Sequence, residues 1–504
     1  MQLLTSKTLL AISKQLEPHL PFRLILFQMA PADRKKASPT SETGHPKENA
    51  TAFESIPATK IFADFVAHLT YDSIDVSVIE NLKRLLLDFI GIAAFAASSI
   101  DSSESFYLGV LAFSGGATGN CTVMTKGKRF LPQHSSLLNA AFGHTLDFDD
   151  TFAAGALHPG ASVISAALAE AEACGADGKR LLTGLAAGYE VICRISRALG
   201  PGAYDRGFHN TGTTGIFGAV AAIMKIRGAD SAAIESAFGL AGSKAAGSQQ
   251  FLENGAWNKR LHPGFAAHDA FMCIAFVEQG ITTAAKPLEG IFGFLKGYSA
   301  SPTMNNIVEG LGKNWIHTAT AVKPYPGCRM THGGIDLAAK WRGKVRGPVK
   351  SMCLSLSTHC WMVVGRPLPN KRHPETIVDA QFSAYYQLAV AWLDGNQSGW
   401  RVYDRIHDKD VSLLLDKITV NASEDLAGLG TRLEVHLEDG TIETDDLAVP
   451  LGEPSTPLSY RDVLKKYGSM AIPAYGQQKA EQIMQIVQQL EEHNNTHDLM
   501  LALA

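Results

Sequence analysis

Four short stretches hold the residues able to move protons or bind anions. The first is Gly143-His144-Thr145-Leu146-Asp147-Phe148-Asp149-Asp150-Thr151, followed by Leu157-His158-Pro159-Gly160. Three carboxylates in four residues beside two histidines repel one another and are costly unless something neutralises them. The plainest role is structural: one aspartate caps the following helix and the others are solvated. Carboxylate pairs also suit a hard cation such as Mg²⁺, although histidine is not its usual ligand. The second stretch, Phe208-His209-Asn210-Thr211-Gly212-Thr213-Thr214-Gly215, leads into a helix expected over 216–225. Backbone N–H groups and hydroxyls at a helix start receive carboxylates or phosphates, with His209 at the mouth; a Gly-rich turn with Thr caps is the bland alternative. The third, Lys259-Arg260-Leu261-His262-Pro263-Gly264, places three potential cations before an apolar helix, either an anion site or a solvated turn. In the fourth, Lys323-Pro324-Tyr325-Pro326-Gly327-Cys328-Arg329-Met330-Thr331-His332, prolines fix an extended backbone and bring Lys323, Cys328, Arg329 and His332 close together. Read alone, it is a rigid loop with surface cations. Taken together, the stretches supply anion-binding and acid/base groups without a G-x-G-x-x-G or Walker loop. That inventory suits a polycarboxylate substrate and calls for no cofactor and no metal.

The surrounding patterns say what must position these groups. Val78, Ile79, Leu82, Leu85, Leu86, Phe89 and Ile90 recur at helical spacing, and Ser77 with Glu80 forms the S-x-x-E signature of a capped start. Helices rich in Ala and Gly follow, including Ser162 to Cys174 closed by Gly175 and Lys179 to Leu199 closed by Gly200. After about residue 300 the pattern changes. Val349 to Ser357 alternates like a strand, Ile418 to Asn421 is β-branched, and Arg432 to Leu437 joins Thr441 to Leu447 through Glu438-Asp439-Gly440, a hairpin signal. Helical stretches near Gly333 to Trp341 and Val378 to Leu393 interrupt the strands, and amphipathic helices return at Tyr460 to Tyr467 and Gln477 to Glu492. The expected division is a disordered leader and linker (1–57), a helical domain (58–300), a smaller α+β domain (301–456), and C-terminal helices (457–504) that return to the first domain.

Composition bounds the function. A chain of 504 residues that is 46% hydrophobic and 19% charged has ample material for a core. Lys plus Arg total 45 against 49 Asp plus Glu, so no strong positive field exists for a phosphate backbone, and nucleic acid is not an expected partner. Seven scattered cysteines without a C-x-x-C pair argue against a disulfide framework, a structural zinc and a cysteine-held cluster. No window reads as a membrane span, so the expected setting is soluble, reducing and cytoplasmic. Lys7, Lys14 and Arg23 against Glu17 weakly resemble a mitochondrial transit segment.

In order along the chain, 143–160, 208–215, 259–262 and 323–332 resemble the MmgE/PrpD family, which includes 2-methylcitrate dehydratase and cis-aconitate decarboxylase. The string D-F-D-D-T followed by H-P-G, with K-R-L-H-P-G downstream, carries the resemblance, which runs from about residue 60 to about residue 490. It implies a mainly α fold: a large helical domain built from both ends of the ordered chain, an inserted α+β domain, a pocket between them, and a homodimer. By the same resemblance Asp147, His158, His209 and Tyr386 are catalytic positions. Lys259 and Lys323 match the family's lysines and are substrate-binding positions, and Cys328 stands where the mammalian decarboxylases have histidine; the residue types add Thr211, His262, Cys328 and Arg329 to the expected substrate-binding groups.

Those roles make chemical sense. Loss of water from a citrate removes a proton α to a carboxylate and protonates the departing hydroxyl, on an anion already neutralised by cations. The expected activity is therefore a cofactor-independent lyase dehydrating a 2-alkylcitrate such as 2-methylcitrate. Decarboxylation of a cis-aconitate-type substrate uses the same groups, and a catalytically silent binding or scaffold protein is the third reading. Burial of so many ionisable groups has no physical reason in a silent protein.

Overall fold

The computed structural model describes residues 56–304, 307–397 and 399–504. Residues 1–55, where the leader and most of the linker were expected, lie outside the described residues. Helix α1 (Val76–Ser99) buries the face expected from its spacing, from Val78 to Ile90. Its expected cap does not form: the helix begins before Ser77, Asp75 takes the N-cap position, and Glu80 pairs with Lys83 at 2.9 Å instead. Around α1 pack α2 (Pro132–Thr145), α3 (Gly160–Cys174), α4 (Gly178–Leu199), α5 (Asn210–Arg227) and α6 (Asn258–Glu278), sharing one apolar core. Glycines set the spacing. A Cβ at Gly188 of α4 would stand 2.9 Å from the Gly218 carbonyl oxygen of α5, so only glycine allows that backbone approach. Gly175 and Gly200, both at φ +62°, close α3 and α4 where the sequence places them.

The remaining elements are α7 (His332–Trp341), β1 (Val349–Ser357), α8 (Ile377–Gln381), α9 (Ala384–Asp394), β2 (Ile418–Ser423), β3 (Thr431–Leu437) and β4 (Ile442–Leu447). The four strands form one sheet in the order β2-β1-β3-β4, with β1 parallel to β2 and antiparallel to β3. The β3–β4 hairpin forms as its turn residues require: Gly440 takes φ +89°, and His436 faces Ile442 across the turn. Ile335, Leu354, Leu388, Val420 and Leu433 belong to a second apolar cluster, built from residues 325–437 together with Phe251. Val463 and Tyr467 of α10 (Tyr460–Tyr475) and Ile483 and Val487 of α11 (Gln477–Gln488) join the first cluster. The fold is mainly α, with one small sheet of consequence. Among the described residues no single helix is long and apolar enough to cross a membrane.

Candidate active site

The chain turns sharply after α2, where Asp147 adopts φ +50°, a left-handed conformation that aspartate tolerates better than most side chains. The turn sends three neighbouring carboxylates to three different sets of partners. Asp147 Oδ1 stands 2.9 Å from Lys259 Nζ and 3.0 Å from Lys323 Nζ, while Oδ2 has no hydrogen-bond partner. Asp149 Oδ2 lies 2.7 Å from His144 Nδ1, and its Oδ1 lies 3.2 Å from His158 Nδ1. Asp150 accepts the Gly160 N–H at 3.0 Å and the Tyr189 hydroxyl at 2.7 Å. Asp150 therefore does the capping expected of one aspartate, at the start of α3, but neither of the others is solvated: all three are buried. Gly160 cannot be replaced cheaply, because a Cβ there would lie 2.5 Å from the Tyr189 hydroxyl oxygen.

Helix α5 starts at Asn210 rather than near 216, so Thr211 to Gly215 lie inside it. His209 is the N-cap, and its carbonyl already accepts from the Gly212 and Thr213 N–H groups. Thr211 Oγ1 accepts the His158 N–H at 3.0 Å and is fully buried, so it holds His158 in place instead of presenting itself to a substrate. Lys259 and His262 share one face of α6, three residues apart, while Arg260 points elsewhere and donates to Ser102 Oγ at 2.6 Å. His262 stands behind His209, with the two Nδ1 atoms 2.9 Å apart. The His144 ring meets those of His158 and His209, at centroid distances of 4.6 and 5.6 Å.

These groups open onto a cavity of about 230 Å³. Asp147, His158, His209, Lys259, Cys328 and Arg329 line it together with Phe152, Leu157, Phe251, Phe382 and Tyr204. The helix expected from Val378 to Leu393 breaks at Phe382 and Ser383, where Ser383 Oγ accepts the Tyr386 N–H and starts α9. The break matters: Phe382 enters the cavity wall 5.2 Å from Lys259 Nζ, and the Gln381 carbonyl accepts the Cys328 N–H at 2.8 Å. Arg329 is paired with Glu453, leaving Nη1 without a hydrogen-bond partner.

Besides Thr211, three expected contributors stand back from the cavity. Lys323 is completely buried and gives its ammonium to the Asp147 carboxylate and carbonyl, so it is a counter-ion of the turn. Tyr386 donates its hydroxyl to the Val402 carbonyl and is absent from the lining; Tyr204 is the tyrosine on the wall. His262 reaches the site only through His209. Conversely, His144 and Asp149 lie in the first stretch, and residue type and spacing do not point to either as a partner of the other. Their pairing depends on the turn at Asp147, which residue spacing does not reveal.

Burial would raise the Asp147 carboxyl, but the Lys259 and Lys323 ammoniums outweigh it and hold it well below the usual carboxylate range. Asp149 is likewise held low against its burial by the His144 and His158 rings. Burial pushes His144 and His262 down to about 4, and His209 well below its ordinary value, with His262, His144 and Lys259 adding to the effect on His209. His144, His209 and His262 are thus neutral at pH 7. Burial also pushes the Cys328 thiol up, so it is protonated there and is no ready base. His144, Asp149 and His158 do bring one ligand atom each within 4.8 Å of one another. However, two ligands of a tetrahedral zinc stand about 3.4 Å apart, wider than the 2.7 Å between His144 and Asp149, which is a hydrogen-bond distance.

A helical fold around a buried cavity lined by histidine and lysine defines the class to which comparison gives a family. Residues 60–306 match the MmgE/PrpD N-terminal domain and residues 325–492 the MmgE/PrpD C-terminal domain. The chain belongs to the MmgE/PrpD family. It is 25% identical over 488 residues to a cis-aconitate decarboxylase of Aspergillus terreus, covering 90% of this chain and 97% of that protein. It is 26% identical over 485 residues to the cis-aconitate decarboxylase-like protein oryM of Aspergillus oryzae, covering 90% and 99%. To the cis-aconitate decarboxylase of Homo sapiens it is 26% identical over 458 residues, covering 86% and 91%.

Proposed function

We propose that the protein is a cofactor-independent lyase that removes water from a 2-alkylcitrate such as 2-methylcitrate. The observation that carries this reading is the convergence of His158, His209 and Lys259 on one cavity, with His209 held neutral by burial. A neutral imidazole takes a proton; His209 is placed to remove the one α to a carboxylate, and Lys259 with the free Nη1 of Arg329 balances the substrate's negative charge. His158, flanked by the Asp149 and Asp147 carboxylates at 3.2 and 3.6 Å, delivers a proton to the departing hydroxyl. The C–O bond breaks as the α C–H electron pair becomes the new alkene, and water leaves.

A second reading is favoured by the names of the relatives. In a cis-aconitate-type decarboxylase the bond to one carboxylate breaks, the electron pair spreads into the remaining unsaturated acid, and a histidine protonates carbon. One experiment separates the two: the purified protein is given citrate, 2-methylcitrate and cis-aconitate, and alkene absorbance and CO₂ are followed together. Alkene without CO₂ from 2-methylcitrate is the expected result. CO₂ from cis-aconitate with no dehydration would replace the first reading by the second, and silence towards all three would remove both.

A further inference from the structure

Asp147, His209 and Lys259, all buried, form the inner end of the cavity, and His158 and Tyr204 stand half-buried towards its outer side. The outer end is different in kind. Ala153 and Gly428 are exposed, and Ala156, Met330 and Leu429 are half-buried, which marks this side as the mouth. No lysine, arginine, aspartate or glutamate belongs to this outer wall among the described residues. His359, at the rim, faces Asp205 at 3.9 Å. The Gly428 carbonyl, the backbone acceptor at the mouth, is already engaged by Ser357 Oγ at 2.7 Å and by Cys360 Sγ at 3.3 Å.

A carboxylate arm directed past His158 towards Ala153, Met330 and Leu429 would lose water and meet no lysine or arginine there, a costly arrangement. A hydrocarbon arm would lose nothing polar and gain contact with Ala, Leu and Met side chains. Because the wall ends at exposed residues, the space is not closed after a single carbon. We infer that the outer half of the cavity is a subsite for an unbranched alkyl chain longer than methyl, carried by the substrate whose polar head sits at Lys259 and the histidines. This inference rests on the lyase reading above and deepens it by naming the substituent.

The test is a homologous series on the full chain: 2-methyl-, 2-ethyl-, 2-butyl- and 2-hexylcitrate for turnover. The corresponding 2-alkylsuccinates, which lack a leaving hydroxyl, serve for binding by calorimetry. Burying one methylene is expected to raise kcat/KM and the association constant about fourfold, until the chain reaches solvent and the gain stops. Ala153→Trp, which fills the mouth, should lower the ratio of hexyl to methyl kcat/KM towards one. Turnover of 2-methylcitrate with a flat or falling chain-length dependence would overturn the subsite and leave the lyase reading standing. Succinates that bind more tightly with length, without turnover of any citrate, would support the subsite and sink the dehydration. No binding by any member would remove both.

Discussion

His209 and His262 meet through like atoms, Nδ1 to Nδ1 at 2.9 Å. Both rings are neutral at pH 7, so one nitrogen must donate and the other accept, and the two tautomers are locked in opposition. For His209 to present a bare Nε2 as a base, its own Nδ1–H must be the donor. His262 is then a positioning residue for proton abstraction.

The first prediction follows from that lock. His262→Ala should lower kcat by about 10- to 100-fold, the usual effect of removing a partner that fixes a functional imidazole, whereas His209→Ala should cost about 10² to 10⁴. His262 also depresses His209, so its loss should move the acidic limb of the kcat/KM profile to higher pH. A pH–rate series on His262→Ala checks this; an unchanged profile would make His262 a packing residue only.

The two lysines on Asp147 should separate cleanly. Lys323 is sealed away from the cavity, so Lys323→Ala should act on folding and lower unfolding free energy by about 3 to 5 kcal/mol, the cost of breaking a buried pair. Lys259 lines the cavity, so Lys259→Ala should appear chiefly in kcat/KM, by about 2 to 4 kcal/mol. Urea unfolding beside steady-state kinetics distinguishes them. Equal effects of both variants on both measurements would refute the division.

Stability should fall as pH drops from 7 to 4. His144 and His262 titrate near 4 in the folded protein against about 6.5 unfolded, so the unfolded chain binds the extra protons across that window. Each contributes of order 3 kcal/mol of acid destabilisation when fully titrated. Asp150 works in the other direction, because burial raises its carboxyl to about 7 and the folded state binds its proton first; its contribution is lost as pH rises from about 4 to 7. His209, displaced the same way as the other two histidines, adds to their side, so the net slope is expected to favour neutral pH. Urea midpoints at half-unit pH steps measure it; a midpoint that rises towards pH 4 would contradict this assignment.

Dialysis against a strong chelator should leave turnover unchanged, since His144 and Asp149 stand at a hydrogen-bond distance of 2.7 Å, too close for two ligands of one tetrahedral ion. Activity lost on chelation and restored by Zn²⁺ or Mg²⁺ would show that the cluster holds an ion.

Tyr386→Phe should leave kcat within about twofold and reduce stability by about 1 kcal/mol, the worth of the hydroxyl's bond to the Val402 carbonyl. A large kcat defect at unchanged stability would return the hydroxyl to the chemistry.

The sequence was most informative where local periodicity decides structure. The buried face of α1, the glycine closures of α3 and α4 and the β3–β4 turn follow from spacing and residue type. It was less informative wherever a contact spans the chain. Whether Lys323 faces a substrate or an aspartate depends on a partner 176 residues away, and composition at either position looks the same. The break at Ser383 was hidden because the residues on both sides favour helix, and a single hydroxyl accepting the Tyr386 N–H decides the matter. Thr211 is a different case: a hydroxyl near a helix start suits a ligand group, while in the structure it accepts the His158 N–H, 53 residues away.

Lys466 of α10 donates to Asp88 at 2.9 Å and to the Phe148 carbonyl at 2.8 Å, across 378 and 318 residues of chain. During synthesis the loop bearing Asp147, Asp149 and Asp150 leaves the ribosome long before the side chain that fastens it. Until Lys466 arrives, Asp88 and the Phe148 carbonyl lack this ammonium, while Asp147, Asp149 and Asp150 already have partners earlier in the chain. The last tenth of the polypeptide thus supplies both the cation of Asp88 and part of the first apolar core, so the surroundings of the carboxylate turn are completed only when α10 has been made.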